Sequence, residues 1–163
     1  MKKTLKTSGV ITLPAVGPPR LVGSLASCID DDGIGWIRAS FFREEEYLRV
    51  DEQDGRMCLT IRRELMETIL GALSILFAAN LWMQSAGGGA ASSEAAQHFT
   101  VEITVARWGQ PGLVRCFWET GADGIERSCV DDQVNLFFRE DVAQELASEL
   151  ARELGRIAAA IDE

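Results

Sequence analysis

Apolar and polar residues alternate along several short runs in the first 62 residues, and polar or glycine-containing turns separate these runs. A period of two is typical of β-strands that bury one face. The clearest run is 34–43, where Ile37, Ala39 and Phe41 share one face. Three further runs in this region predict strands, at 21–29, 47–51 and 57–61.

From Arg62 the apolar period changes to that of a helix, with Leu65, Ile69 and Leu73 at intervals of four. The second half of the chain repeats this order. Its alternating runs predict strands at 98–107, 113–120, 125–130 and 134–138. A second helix then follows from about 139 to 161, with a single apolar stripe and charged residues on its other side.

A shift of 77 residues overlays the two halves without a gap, so that Gly35 falls on Gly112 and Asp54 on Asp131. Turns, strand faces and helix starts coincide. The sequence therefore predicts an α+β protein built by tandem duplication of a β-β-β-β-α unit, with two antiparallel sheets and two long helices. The pattern leaves open whether the two units share one core.

The same pattern sets the expected boundaries of the parts. They are an N-terminal arm, a first unit, a Gly/Ala/Ser linker and a second unit, at 1–20, 21–86, 87–97 and 98–163. Within the arm, residues 10–13 are expected to pair as an edge strand that ends at Pro14.

The first helix carries no charged residue after Glu67 and is apolar nearly all round. Its apolar run is about 15 residues, shorter than a bilayer requires, so no membrane span is predicted. Burial on two sides is the better explanation, against the other half of the chain or a second copy. Small residues would allow another backbone to approach closely. The predicted homodimer surface consists of Leu70, Gly71, Ser74, Phe77, Ala78 and Leu81.

Composition and charge narrow the classes of function. Apolar residues make up 47% and charged residues 25% of the 163 residues, which is typical of a soluble globular protein. Residues 1–63 hold 10 basic and 9 acidic side chains, whereas residues 64–163 hold 6 and 16. The second half should therefore repel polyanions, and the charge disfavours nucleic acid as a partner.

Residue types and motifs give no catalytic or metal site. A single histidine, His98, excludes a polyhistidine metal centre, and no glycine-rich phosphate loop or nucleophile elbow is present. The carboxylate clusters 30–32 and 131–132 are expected to be solvated turns. No enzyme activity, cofactor or metal is predicted.

The four cysteines form no C-x-x-C pair and match no zinc spacing, which favours reduced cysteines in a cytoplasmic protein over a disulfide in an exported one. Cys58 and Cys116 lie in apolar runs and are expected to be buried thiols. The basic start of the chain is followed only by a short apolar stretch that ends at Pro14, so no targeting segment is recognised. A cytoplasmic protein is expected.

Arginines beside aromatic residues suggest one further surface. Arg38 and Arg115 are equivalent in the repeat and fall on the strand faces opposite the predicted core. A sheet that combines arginines with exposed aromatic rings can bind single-stranded nucleic acid through charge and stacking. The candidate sheet-face residues are Trp36, Arg38, Phe42, Trp108, Arg115 and Phe117.

The element order over about 21–161 resembles that of the Whirly and PUR-repeat families, which bind single-stranded DNA or RNA on their sheets and associate through helices. In size and acidity the chain is also similar to type III secretion chaperones. The acidic second half, the missing catalytic motifs and the very apolar first helix favour a non-catalytic, homodimeric module that binds a protein partner as a chaperone, an inhibitor or an adaptor. Single-stranded nucleic-acid binding is the alternative hypothesis.

Overall fold

A computed structural model describes residues 5–14, 21–43, 47–84, 99–104 and 112–161. At 8, 79–84, 103–104 and 156–161 it describes the backbone and not the side chain. The predicted linker 87–97 lies outside these ranges.

The elements follow the predicted order, and the edge strand predicted in the arm is present before the first unit. The strands are β1 (Lys6–Pro14), β2 (Leu21–Ile29), β3 (Gly35–Phe42), β4 (Leu48–Gln53), β5 (Arg56–Arg62), β6 (Thr100–Thr104), β7 (Leu113–Glu119), β8 (Ile125–Val130) and β9 (Gln133–Arg139). The helices are α1 (Arg63–Gln84) and α2 (Glu140–Ile161).

The strands form a five-stranded sheet in the order β1-β2-β3-β9-β8 and a four-stranded sheet in the order β4-β5-β7-β6. All pairings are antiparallel. The α+β fold with two antiparallel sheets and two long helices is confirmed. Each unit contributes one hairpin to each sheet, so the two units interleave and do not form a sheet apiece.

The ladders that join the two units show the duplication at the level of single residues. Ile37 of β3 pairs with Phe138 of β9 in the five-stranded sheet. Adding 77 to the first number and subtracting 77 from the second gives Val114 and Ile61, which pair in the four-stranded sheet. The two central ladders therefore have the same register, as a pseudo-twofold relation between the sheets requires.

One core, shared by both units, answers the question that the sequence left open. Phe41 and Ile61 from the first unit belong to the same buried cluster as Leu136 and Leu150 from the second. Each helix covers this core from one side with residues spaced as predicted. The two units consequently form one domain, because each sheet contains strands from both units.

The N-terminal strand β1 explains why α1 is more apolar than α2. It extends the predicted edge strand, pairs with β2 and contacts α1. A β-carbon built on Gly9 would lie 3.7 Å from Leu76 Cδ2, so the backbone of β1 passes close to the helix. Leu76 is buried, as is Ala72 one turn earlier. The predicted two-sided burial of α1 is thus provided in part by the arm.

No helix in the part of the chain that the structure describes has the length and apolarity needed to cross a bilayer.

Candidate interaction surfaces

The candidate sheet-face residues lie on two separate surfaces. Trp36, Arg38 and Phe42 belong to β3, on the face of the five-stranded sheet that is turned away from the shared core. Arg115 and Phe117 belong to β7, on the outer face of the four-stranded sheet. Trp108 lies outside the described residues. The described candidates do not form one continuous platform.

Trp36 is held inside a small cluster on the outer face of the five-stranded sheet. Only 4% of its surface is exposed, and it packs with Ala26 and Cys28. Its indole Nε1 donates a hydrogen bond of 3.0 Å to Asp30 Oδ2. The ring is therefore not open for stacking with a base, whereas Phe42 at the end of the same strand is 47% exposed.

Asp30 organises the turn between β2 and β3. Its Oδ1 accepts hydrogen bonds from the backbone amides of Asp32 and Ile34, each at 2.9 Å. A side-chain oxygen that bonds to backbone amides further along the chain stabilises a tight turn. The expected solvated cluster is thus exposed at Asp31 and Asp32, whereas Asp30 is buried and structural.

Among the residues that the structure describes, Arg38 Nε and Glu126 Oε2 on the five-stranded sheet are buried without a hydrogen-bond partner. Arg38 of β3 pairs with Phe137 of β9, which pairs in turn with Glu126 of β8. The opposite charges therefore flank one phenyl ring in a single row across the sheet. The carbon atoms of such a row contribute packing as well as charge.

The outer face of the four-stranded sheet is charged. The Arg56 guanidinium lies over the Phe117 ring, 4.7 Å from its centroid. Arg115 is exposed and pairs in register with Glu102 of β6, and Arg56 pairs with Glu119. Because carboxylates alternate with the arginines, this face has no uniform positive potential.

Three of the six residues of the predicted dimer surface on α1 are exposed. Gly71, Ser74 and Ala78 are exposed, and the Ser74 hydroxyl donates a 3.0 Å hydrogen bond to the Leu70 carbonyl oxygen. Ile75 lies among them with 63% of its surface exposed. Leu70 and Phe77 are half-buried against the shared core, and the side chain of Leu81 is outside the described residues.

The dimer surface predicted from the sequence did not include Ile75, although a comparison of the two repeats would have indicated it. A shift of 77 places Ile75 on Arg152 of α2, which is exposed and paired with Glu149. The surface of α1 is therefore apolar at a position where the surface of α2 carries a charged, solvated side chain.

The cysteines lie mostly in the interior, as expected for Cys58 and Cys116. Cys28 is buried as well, and Cys129 is exposed. Burial raises the pKa of the Cys116 thiol far above its ordinary value. At Cys129, slight desolvation raises the pKa, but hydrogen bonds and positive charge from Arg127 and Arg43 outweigh it and lower the pKa.

A cleft of about 310 Å³ lies beside β8 where the two sheets approach each other. It is lined by the charged Glu52 and Arg127 as well as by Met57 and Trp118. Within the described ranges, no three His, Cys, Asp or Glu residues are grouped as a metal site would require, and His98 falls outside those ranges.

No protein-family model, curated protein or solved structure matches the chain. The similarity to the Whirly and PUR-repeat families thus remains one of element order, and its functional meaning depends on this chain's own surfaces.

Proposed function

We propose that the protein is a non-catalytic, acidic protein-interaction module that acts as a homodimer through α1. The observation that carries this proposal is the exposure of Ile75 in the middle of a helix face without charged side chains from Gly71 to Ala78. Exposed apolar residues that lie together on one element are typical of association surfaces.

The small residues on the same face support self-association. Gly71 has no heavy atom from another part of the chain within 4 Å of a β-carbon built on it. Two copies of α1 could cross at Gly71 and Ser74 with little separation between their backbones. In such a crossing, Ile75 of each copy would be covered by the other helix, as an isologous dimer requires.

Light scattering coupled to size-exclusion chromatography tests the dimer. The wild-type protein is expected to have twice the 17.9 kDa mass of the chain at micromolar concentration. Ile75→Arg copies the residue of α2 at the equivalent position and is expected to give monomers, because the charge would be desolvated in the interface. Arg152→Ala is the matched control and should leave the mass unchanged. A monomeric wild-type protein would contradict the proposal.

Single-stranded nucleic-acid binding is the second proposal, and the position of Arg56 over Phe117 favours it on the four-stranded sheet. Exposed Arg115 lies on the same face. Anisotropy of labelled single-stranded DNA and RNA at two salt concentrations tests it, since phosphate contacts weaken with salt. Arg115→Ala should reduce any binding more than Arg38→Ala, which changes the other sheet. A flat titration at low salt would exclude this function.

A further inference from the structure

The outer edge of β6 corresponds to the outer edge of β2, which pairs with β1. In the first unit, β1 pairs along the outer edge of β2. In the second unit, β6 stands where β2 stands, at the side of β7 that matches β3. No strand in the described ranges pairs with the other side of β6. The molecule itself therefore shows how a further strand would lie on this edge.

The registers identify which residues correspond at the two edges. Leu25 of β2 pairs with Ala39, and Val101 of β6 pairs with Cys116, which lies 77 residues after Ala39. Val101 is thus the counterpart of Leu25. The strands β2 and β6 therefore correspond at a shift of 76, so the gapless shift of 77 that the sequence indicated is wrong by one residue here. The next residues, Ala26 and Glu102, correspond in the same way, and in the first unit Ala26 pairs with Val10 of β1.

Where the first edge is apolar, the second edge carries carboxylates. Ala26 is replaced by Glu102, which is exposed. On the helix flank, shifts of 77 replace the buried Ala72 and Leu76 with Glu149 and Glu153. Both glutamates are partly buried, and Glu149 forms an ion pair with Arg152. At these three positions an apolar residue corresponds to an acidic one in the second unit, whereas Leu25 corresponds to the apolar Val101.

We propose that the outer edge of β6 binds an extended, basic peptide segment of a partner protein by adding it to the four-stranded sheet as a further strand. The proposal rests on the interaction-module function and names the chemistry of its partner. Backbone hydrogen bonds to β6 provide affinity, as in other strand-addition complexes. Lysine or arginine side chains at alternate positions of the added strand reach Glu102 on the outer face, and the residues between them, which can be polar, face the α2 flank at Glu149 and Glu153.

Two of the three carboxylates at this edge already lie near arginines of the same chain, with which a basic peptide would compete. Glu102 lies opposite Arg115 on β7, and Glu149 is paired with Arg152. A basic strand therefore competes with exposed arginines, whose pairing with carboxylates in water is weak. The backbone ladder is consequently the larger contribution, and the carboxylates select a basic sequence over an acidic one.

Fluorescence anisotropy with a labelled peptide that alternates lysine and threonine over about eight residues tests the proposal on the full chain. The lysine peptide is expected to bind, and a glutamate–threonine peptide of the same length is not. A lysine peptide with every second amide N-methylated lacks ladder donors and should bind at least about tenfold more weakly. Equal binding of the methylated peptide would overturn strand addition.

A matched pair of variants locates the site. Glu102→Lys on β6 should weaken binding of the lysine peptide by about tenfold, because like charges then face each other across the strands. Asp51→Lys makes the same charge change on the outer face of β4, at the opposite edge of the same sheet, and should leave the affinity unchanged. Equal effects of the two variants would overturn the assignment to β6.

The result is separable from that of the proposed function. Absence of peptide binding at low salt, with the dimer still present in light scattering, overturns the strand-addition site and leaves the proposed dimer standing. Peptide binding by a monomeric protein, with the Glu102→Lys effect, upholds the site while rejecting the dimer.

Discussion

The two units share a backbone plan but differ in the chemistry of their flanks. In the first unit, the flank of α1 is apolar at Ala72 and Leu76, and the added strand β1 contacts the helix. In the second unit, α2 carries Glu149 and Glu153 at the corresponding positions. The strand pairings and turns are thus the same in the two units. The helix flanks differ, being apolar beside β1 and acidic in the second unit.

Exchanging residues between the two flanks should give the largest effect. Leu76→Glu places a carboxylate at a site that is 2% exposed and is expected to lower the free energy of unfolding by about 4 kcal/mol. Glu153→Leu at the equivalent position of α2 should change it by less than about 1 kcal/mol. Urea unfolding followed by circular dichroism measures both.

Similar losses for the two variants would contradict the asymmetry, since they would mean that the α2 flank depends on its carboxylate as strongly as α1 depends on its leucine. Glu67→Gln is a useful control on the same helix, because Glu67 is exposed and its replacement should leave the free energy of unfolding nearly unchanged.

Equivalent rungs of the sheets also fill the core differently. Gly23 pairs with Phe41 in the first unit, whereas the corresponding residues of the second unit are Phe99 and Trp118. The two rings pack edge to face, with 5.9 Å between their centroids. A β-carbon built on Gly23 would lie 2.2 Å from the Ser40 carbonyl oxygen. The backbones of β2 and β3 thus approach too closely there for any side chain.

Gly23→Ala is expected to lower the free energy of unfolding by about 3 kcal/mol, because the strands must move apart. Gly155→Ala provides the opposite case, since a β-carbon at Gly155 of α2 meets no atom within 4 Å. Alanine there should raise stability by about 1 kcal/mol. Thermal unfolding of both variants checks the pair, and a stable Gly23→Ala protein would be inconsistent with the close approach.

The smallest expected effect concerns the arginines that precede the two helices. Arg62, before α1, stacks over Tyr47 with 5.0 Å between guanidinium and ring centroid. Its counterpart Arg139, before α2, binds both oxygens of Asp141 and also contacts Asp123. Desolvation raises the pKa of Asp141, but the hydrogen bonds and charge of Arg139 outweigh it and lower the pKa below its usual range.

Stability from a carboxyl with a lowered pKa is present above its unfolded pKa, about 3.9, and is lost as the pH falls through the folded value. Asp141→Asn should therefore be less stable than the wild type at pH 7, by less than about 1 kcal/mol because the pair is partly solvated. The difference should shrink as the pH falls below about 3.9 and vanish once Asp141 is protonated in the folded state as well. Urea midpoints measured across the pH range test this, and a difference that persists in acid would exclude the charge pair as its cause.

Local signals were sufficient for much of the fold. The Asp54–Gly55 dipeptide predicted a hairpin, and Asp54 and Gly55 adopt φ values of 52° and 77° between β4 and β5. Asp131 repeats the turn with φ 54° between β8 and β9. Such turns depend on the residues within them, so they can be read without knowledge of distant contacts.

The candidate surfaces could be predicted from the sequence only in part. The face of α1 that includes Gly71, Ser74 and Ala78 is exposed as one stripe, because helical periodicity determines which residues share a face. Arg38 and Arg115 were recognised as equivalents, but their positions on different sheets depend on the pairing of β3 with β9 and of β5 with β7. Burial of Trp36 by Ala26 and Cys28 depends on pairing in the same way.

The elements, their order, the faces of each strand and the duplication could be predicted from the amino-acid sequence, because they follow from spacing and turn chemistry within short segments. Three features required the folded molecule: the units interleave into one core, β1 covers the flank of α1, and no strand in the described ranges lies beside the outer edge of β6. Those features join residues far apart in the chain, and their selection depends on which surfaces bury the most apolar area together.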